Sequence, residues 1–142
     1  MATRRAGVLG IRSTLRQINS FGVSMNEEIA EVVSETADSV MESAKKSMRE
    51  TSNGGFKSGR NVSAPGQAPN VDSGQLMNSM GVDYRGTVAD VFANDFKAAW
   101  MEFGIQQMPA RPFLNPALQR NSFQFFKKLR GIVDLARRKA GQ

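Results

Sequence analysis

The chain contains neither cysteine nor histidine. The first absence excludes a disulfide framework, a thiol nucleophile and any thiolate metal site. The second removes the commonest general base and the commonest transition-metal ligand. An enzyme built on this sequence would have to work with carboxylates, lysine or hydroxyls alone. Long apolar runs are missing too. No stretch approaches the ~18 residues that mark a membrane-spanning helix, and the segment Gly7 to Ile11 is too short for the apolar core of a signal peptide. The sequence thus predicts a soluble protein made in the cytoplasm, and the lack of cysteine fits a reducing compartment. The apolar share of 40% is low for a compact globule, so part of the chain is expected to be mobile or to order only against a partner.

The 142 residues present are enough for one domain with a modest core. The formal charge of +6 is unevenly placed. Arg4, Arg5, Arg12 and Arg16 make the start basic. Glu27, Glu28, Glu31, Glu35, Asp38 and Glu42 follow as an acidic block with no basic residue among them. From Arg111 onward the only acid is Asp134. Such segregation reads either as solvated faces at both ends of the domain or as a basic surface for nucleic acid or an acidic partner subunit.

Residues 1–12 show no period and are expected to form a flexible basic N-terminus, leaving 13–142 as a single domain. From about Ser13 to Glu50 apolar residues recur at helical spacing, among them Leu15, Ile18, Met25, Ile29, Val40, Ala44 and Met48. This predicts a long amphipathic helix with the acidic block on its outer face, possible interruption at Gly22, and Lys45, Lys46 and Arg49 suited to its C-terminal dipole. At ~1.5 Å per residue it would span some 50 Å, more than so small a domain can cover. Residues 53–72 are rich in glycine, proline and serine and predict a long extended loop. A short turn or helix over Ser73 to Met80 comes next. Met80 to Tyr84 and Val88 to Ala93 alternate weakly around Arg85-Gly86, as a β-hairpin does. Phe96 to Phe103 predicts a short helix. Pro116 to Arg138 predicts a C-terminal helix with Leu118, Phe125, Leu129, Ile132, Val133 and Ala136 on its buried side. The fold class expected is α+β.

Motifs for chemistry are weak. Gly54 and Gly59 have phosphate-loop spacing, but Arg60 and Asn61 stand where lysine and a hydroxyl are needed, and a helix rather than a buried strand precedes them. Asn61-Val62-Ser63 matches a glycosylation sequon that has no meaning without secretion. No carboxylate pair, calcium-loop spacing or nucleophile elbow stands out. No catalytic, metal-binding or cofactor-binding residue is assigned, and no cofactor is expected.

The densest cluster of unusual residues is Trp100 to Leu118, which holds the only tryptophan and three of the five prolines. Gly104 permits a sharp reversal. Pro109 and Pro112 hold the chain extended or in turns, and Pro116 sits where a helix can start. This predicts a rigid elbow built from Trp100, Glu102, Phe103, Gly104, Arg111, Pro112, Phe113 and Pro116. Trp100, Phe103, Phe113 and Leu114 would anchor it in the core. Glu102, flanked by aromatics, would either pair with Arg111, because a buried charge without a partner is costly, or leave both as unrelated surface charges.

Two stretches carry a resemblance. Ser63-Ala64-Pro65-Gly66-Gln67-Ala68-Pro69 is followed by Asp72-Ser73-Gly74-Gln75-Leu76 and Ser79-Met80. Further on, Met101-Glu102-Phe103-Gly104 precedes Met108-Pro109-Ala110-Arg111-Pro112-Phe113-Leu114-Asn115-Pro116-Ala117-Leu118. In this order and spacing they resemble the neck, tail-completion or minor tail-component family of the head–tail connector in long-tailed bacteriophages and phage-like particles. Pro69, Ser73, Gly74, Leu76 and Ser79 match its loop motif. Lys97 and Ile105 stand where the family often has tyrosine and threonine.

The resemblance implies a long N-terminal helix, a small antiparallel sheet and a C-terminal helix. It implies a ring of identical subunits, most often six, and no enzymatic activity. The ring would lie in the virion neck between the portal-side connector or head-closure protein and the tail-terminator or tail-tube protein. DNA would pass through it without sequence-specific binding. Separated acidic and basic blocks suit contacts between unlike faces of neighbouring copies, for which Glu27, Glu31, Glu35, Arg130 and Arg137 are the candidates. The acidic face could equally line the channel. A tail-terminator or head-closure ring is the nearest alternative. A small basic nucleic-acid-binding protein is the alternative of another class.

Overall fold

The structure, a computed structural model, describes residues 8–140. Arg4, Arg5 and the rest of residues 1–7 lie outside the described residues. The fold is α+β, with a long N-terminal helix, two small antiparallel two-stranded sheets and a C-terminal helix.

Helix α1 runs Val8–Arg49. It starts before Ser13, so residues 8–12, expected to be flexible, are helical. Gly22 does not interrupt it, since a single glycine costs only about 1 kcal/mol within a helix this long. Helix α4, Leu114–Ala140, packs antiparallel to α1. Ser43 faces Asn121 through a 3.0 Å hydrogen bond, Glu35 faces Lys128 at 2.5 Å, and Phe21 and Met25 lie beside Ile132 and Ala136. At ~1.5 Å per residue α1 is about 60 Å long and α4 about 40 Å. The first turns of α1 therefore run on beyond the end of α4.

Strands β1 (Phe56–Lys57) and β2 (Arg60–Asn61) form a miniature hairpin. Its two-residue turn, Ser58 (φ 51°) and Gly59 (φ 78°), places both residues at positive φ, as a type I′ turn requires. Helix α2 (Gln75–Asn78) is a single turn. Strands β3 (Met80–Arg85) and β4 (Val88–Ala93) pair in full antiparallel register from Met80–Ala93 to Arg85–Val88. Their turn is Gly86-Thr87 rather than Arg85-Gly86, because Arg85 pairs with Val88 in the ladder and Gly86 takes φ 62°. Helix α3 (Ala98–Phe103) closes the middle of the chain.

The buried core is small and lies at one end of the helix pair. Val40, Ala44 and Met48 of α1 meet Met80 of β3 and Phe113 and Ala117 at the start of α4. Phe113 and Ala117 are completely buried. The expected apolar stripe of α1 has the right phase but is left uncovered at its start, before Phe21. Leu15 and Ile18 are 53% and 59% exposed, because no described element of the chain reaches them. On α4 the expected stripe needs correction. Phe125, Leu129, Ile132 and Ala136 are partly buried, but Leu118 and Val133 are exposed. They lie one step around the helix from Ala117, Asn121 and Ile132, which face α1.

Candidate functional site

The elbow is built around one carboxylate. Glu102 lies near the end of α3, and its side chain reaches the first turn of α4. Oε2 accepts the backbone N–H of Phe113 at 2.9 Å and of Leu114 at 3.0 Å, and Oε1 accepts that of Asn115 at 2.8 Å. A helix begins with four N–H groups that have no partner within it. Here Glu102 takes three, and the fourth position is Pro116, which has no N–H. The negative charge also sits at the positive end of the helix dipole. Glu102 is thus a helix cap supplied from another element. The position of Pro116 is the third residue of α4, not its first, as α4 starts at Leu114.

The pair expected between Glu102 and Arg111 does not form. Glu102 already has three donors aimed at it. The Arg111 side chain turns the other way, where Nε donates to the Ser63 carbonyl at 3.2 Å and a terminal nitrogen to the Pro109 carbonyl at 3.4 Å. The backbone N–H of Arg111 donates to the Met101 carbonyl at 2.6 Å, which ties the segment before α4 to α3. Gly104 makes the reversal between them. It adopts φ 75°, and a Cβ there would lie 2.8 Å from the Ala110 nitrogen. Ile105 and Met108 then exchange two backbone hydrogen bonds of 2.9 Å across a tight turn.

The aromatic anchors divide. Phe113 is the core residue of the elbow, with Pro112 and Leu114 half-buried beside it. Trp100 and Phe103, expected in the core, are 44% and 81% exposed. Helix α3 is too short to bury two faces, and it spends its inner face on Ala98 and Met101. Trp100 packs instead on Phe96, edge to face at 5.3 Å between ring centres. Phe103, Phe92, Leu114 and Leu118 line an open apolar groove of about 720 Å³ between β4 and the start of α4.

The loop over 53–72 is not uniformly extended. Residues 53–61 are exposed and carry the β1–β2 hairpin with Phe56 at 76% exposure. Residues 62–70 are fastened to the body. Ser63 is buried, and the N–H of Gly66 donates to the Ala110 carbonyl at 2.9 Å. The Asn70 amide grips both sides of the hairpin base: it accepts from the Ser52 N–H at 3.0 Å and donates to the Ser52 and Asn61 carbonyls at 2.8 and 3.3 Å. Gly54 sits where a Cβ would collide with the Ser63 carbonyl. The Ser58-Gly59 pair was the available sequence signal for this hairpin.

The loop motif is local scaffolding. Pro69 is buried. Ser73 Oγ accepts the N–H of Gln75 at 3.4 Å, Gly74 takes φ 80° before α2, and Ser79 Oγ closes the turn on the Leu76 carbonyl at 2.8 Å. Leu76 packs against the core.

Among the contact candidates, Glu35 is engaged within the chain by Lys128, while Glu27, Glu31, Arg130 and Arg137 are exposed. Tyr84 donates to Asp38 across the α1–sheet boundary. This hydrogen bond raises the phenol's pKa above its ordinary value, helped by desolvation and by the carboxylate's charge. Among the described residues no cluster of acidic side chains is arranged to hold a metal, and no described helix is long and apolar enough to cross a membrane. The connected features are those of a joint: a capped helix, a glycine reversal and a loop pinned by an arginine. No family model, curated protein or solved structure matches the chain.

Proposed function

We propose that the protein is a structural subunit of a ring in the neck of a long-tailed phage or phage-derived particle, completing the tail and joining it to the DNA-filled head. In this reading it is not an enzyme and takes no cofactor, and it is assembled in the host cytoplasm into the virion. Its partners are further copies of itself, six in the ring the resemblance implies, and the connector and tail-tube rings on either side.

One observation carries the reading. The two stretches that bear the family resemblance meet in space as one joint. Arg111 holds Ser63, Gly66 holds Ala110, and Glu102 fixes the helix that begins at Leu114. The uncovered start of α1 supports the same reading, since a helix that outruns its own domain exposes apolar surface suited to neighbours.

Sedimentation and negative-stain microscopy of the purified protein test it. The expected result is a closed ring, formed alone or on added tail tubes. A strict monomer that stays apart from tail tubes and binds duplex DNA, with affinity falling steeply as salt rises, would replace this reading with the nucleic-acid one.

A further inference from the structure

The outward faces of the two long helices carry opposite charge. At ~100° per residue, Glu27, Glu31, Glu35, Asp38 and Glu42 fall within an arc of about 80° on α1, over about 22 Å of its length. Glu35 and Asp38, in the middle of this stripe, are engaged by Lys128 and Tyr84 of the same chain. Glu27, Glu31 and Glu42 remain exposed. On α4 the side directed at α1 is marked by Ala117, Asn121 and Lys128. About a quarter of a turn away lie Arg120, Lys127 and Arg138, and nearly half a turn away lie Arg130 and Arg137, all exposed, with Asp134 the one acid among them. Arg130 and Arg137 therefore point away from the chain's own acidic stripe and are too far round the helix to reach it. Phe126 and Val133, 58% and 44% exposed, flank them, as Val23 at 59% flanks the acidic stripe. Each face thus offers charge beside exposed apolar side chains, and apart from the contacts of Glu35 and Asp38 neither is covered by another described element of the chain.

We infer that the acidic stripe of α1 in one copy docks on the basic face of α4 in the next, through Glu27 and Glu31 against Arg130 and Arg137. The inference rests on the ring reading and names the surface that would make the ring. The occupant is a second copy because charge complementarity is built into one chain on two different faces. That is the arrangement of a head-to-tail contact, which closes into a ring when the rotation per step permits. The Glu35–Lys128 contact inside the chain is a small version of the same pairing between the same two helices.

Reversal of charge on one face at a time provides the test. The double variants Glu27→Lys/Glu31→Lys and Arg130→Glu/Arg137→Glu are prepared separately, and their mass is followed by light scattering. Each alone places like charges across the contact and is expected to self-associate at least about tenfold more weakly than the unaltered protein. Mixed in equal amounts, they present lysine to glutamate at one junction and glutamate to arginine at the next, and association is expected to return. An effect within one chain cannot be rescued by another chain, so trans-rescue is specific to the docking. If a double variant does not fold, Glu31→Lys and Arg130→Glu serve singly. Unaltered protein that assembles while the variants assemble equally well, or a mixture that stays dissociated, overturns the surface and leaves the ring. Unaltered protein that is monomeric at every concentration, with Arg130→Glu/Arg137→Glu abolishing its binding to duplex DNA, overturns both.

Discussion

Glu102 and Leu114 are joined by a 3.0 Å hydrogen bond from the helix's first N–H to a carboxylate on a different helix. The same carboxylate holds the N–H groups on either side. Removing it leaves three donors at the start of α4 beside the fully buried Phe113. Loss of an ordinary cap costs about 1 kcal/mol and of a strong one about 2. Glu102→Ala is expected to lower stability by about 2–3 kcal/mol, since charged hydrogen bonds are the stronger kind. Glu102→Gln, which keeps one acceptor oxygen, should lose about half as much. Arg111→Ala acts on Ser63 rather than on Glu102. The two substitutions should therefore add to within about 0.5 kcal/mol in a urea-unfolding cycle, and a larger coupling would show that the ion pair forms after all.

Two glycines are expected to respond with opposite signs. Gly104→Ala forces a side chain into φ 75° and a Cβ to 2.8 Å from the Ala110 nitrogen. A cost of about 2–3 kcal/mol follows from strain and displaced backbone. Gly22 lies inside α1, and a Cβ added there would meet nothing within 4 Å, so Gly22→Ala should stabilise the helix by about 0.5–1 kcal/mol. Thermal unfolding of the two variants beside the parent reads both signs directly.

Tyr84 is the chain's only tyrosine, so absorbance of the phenolate reports one group. Its hydrogen bond to Asp38 needs the proton, and the pKa is raised. A raised folded-state pKa stabilises the fold fully below the unfolded value of about 10 and is lost as pH climbs through the folded value. The titration midpoint is therefore expected above that of the denatured protein. Asp38→Asn should bring it down toward the denatured value by removing the carboxylate. A midpoint unchanged by Asp38→Asn would mean that the contact is absent in solution.

The parts of this fold that were legible in the sequence are those with a period. The two long helices and the β3–β4 hairpin declare themselves through spacing, and the reversal at Gly104 through residue type. Burial was less legible. Trp100, Phe103 and Leu118 have the chemistry of core residues, and nothing local says that the face they occupy has no element to cover it. The β1–β2 hairpin has strands too short to alternate, so only its turn could announce it. The role of Glu102 depends on a contact 11 to 13 residues away. Sequence spacing flagged the acid and the coming helix separately. It could not show that α3 turns back to place one at the end of the other, which left Arg111 as the obvious but incorrect partner.

Leu15 and Ile18 separate folding from assembly. Both belong to the apolar stripe of α1, yet they remain 53% and 59% exposed, because α4 ends opposite the region around Phe21 and Met25. Burying an aliphatic side chain is worth about 1.5–3 kcal/mol, but these two contribute little of it within one copy. Leu15→Ser/Ile18→Ser is therefore expected to change the free energy of unfolding of the monomer by under about 1 kcal/mol, mostly through helix propensity. If the overhang is covered by neighbouring copies, the same variant should markedly weaken self-association measured by sedimentation. Equal losses in both measurements would mean that the stripe is covered within the chain, and no loss in either would mean that this end of α1 stands free in the assembly as well.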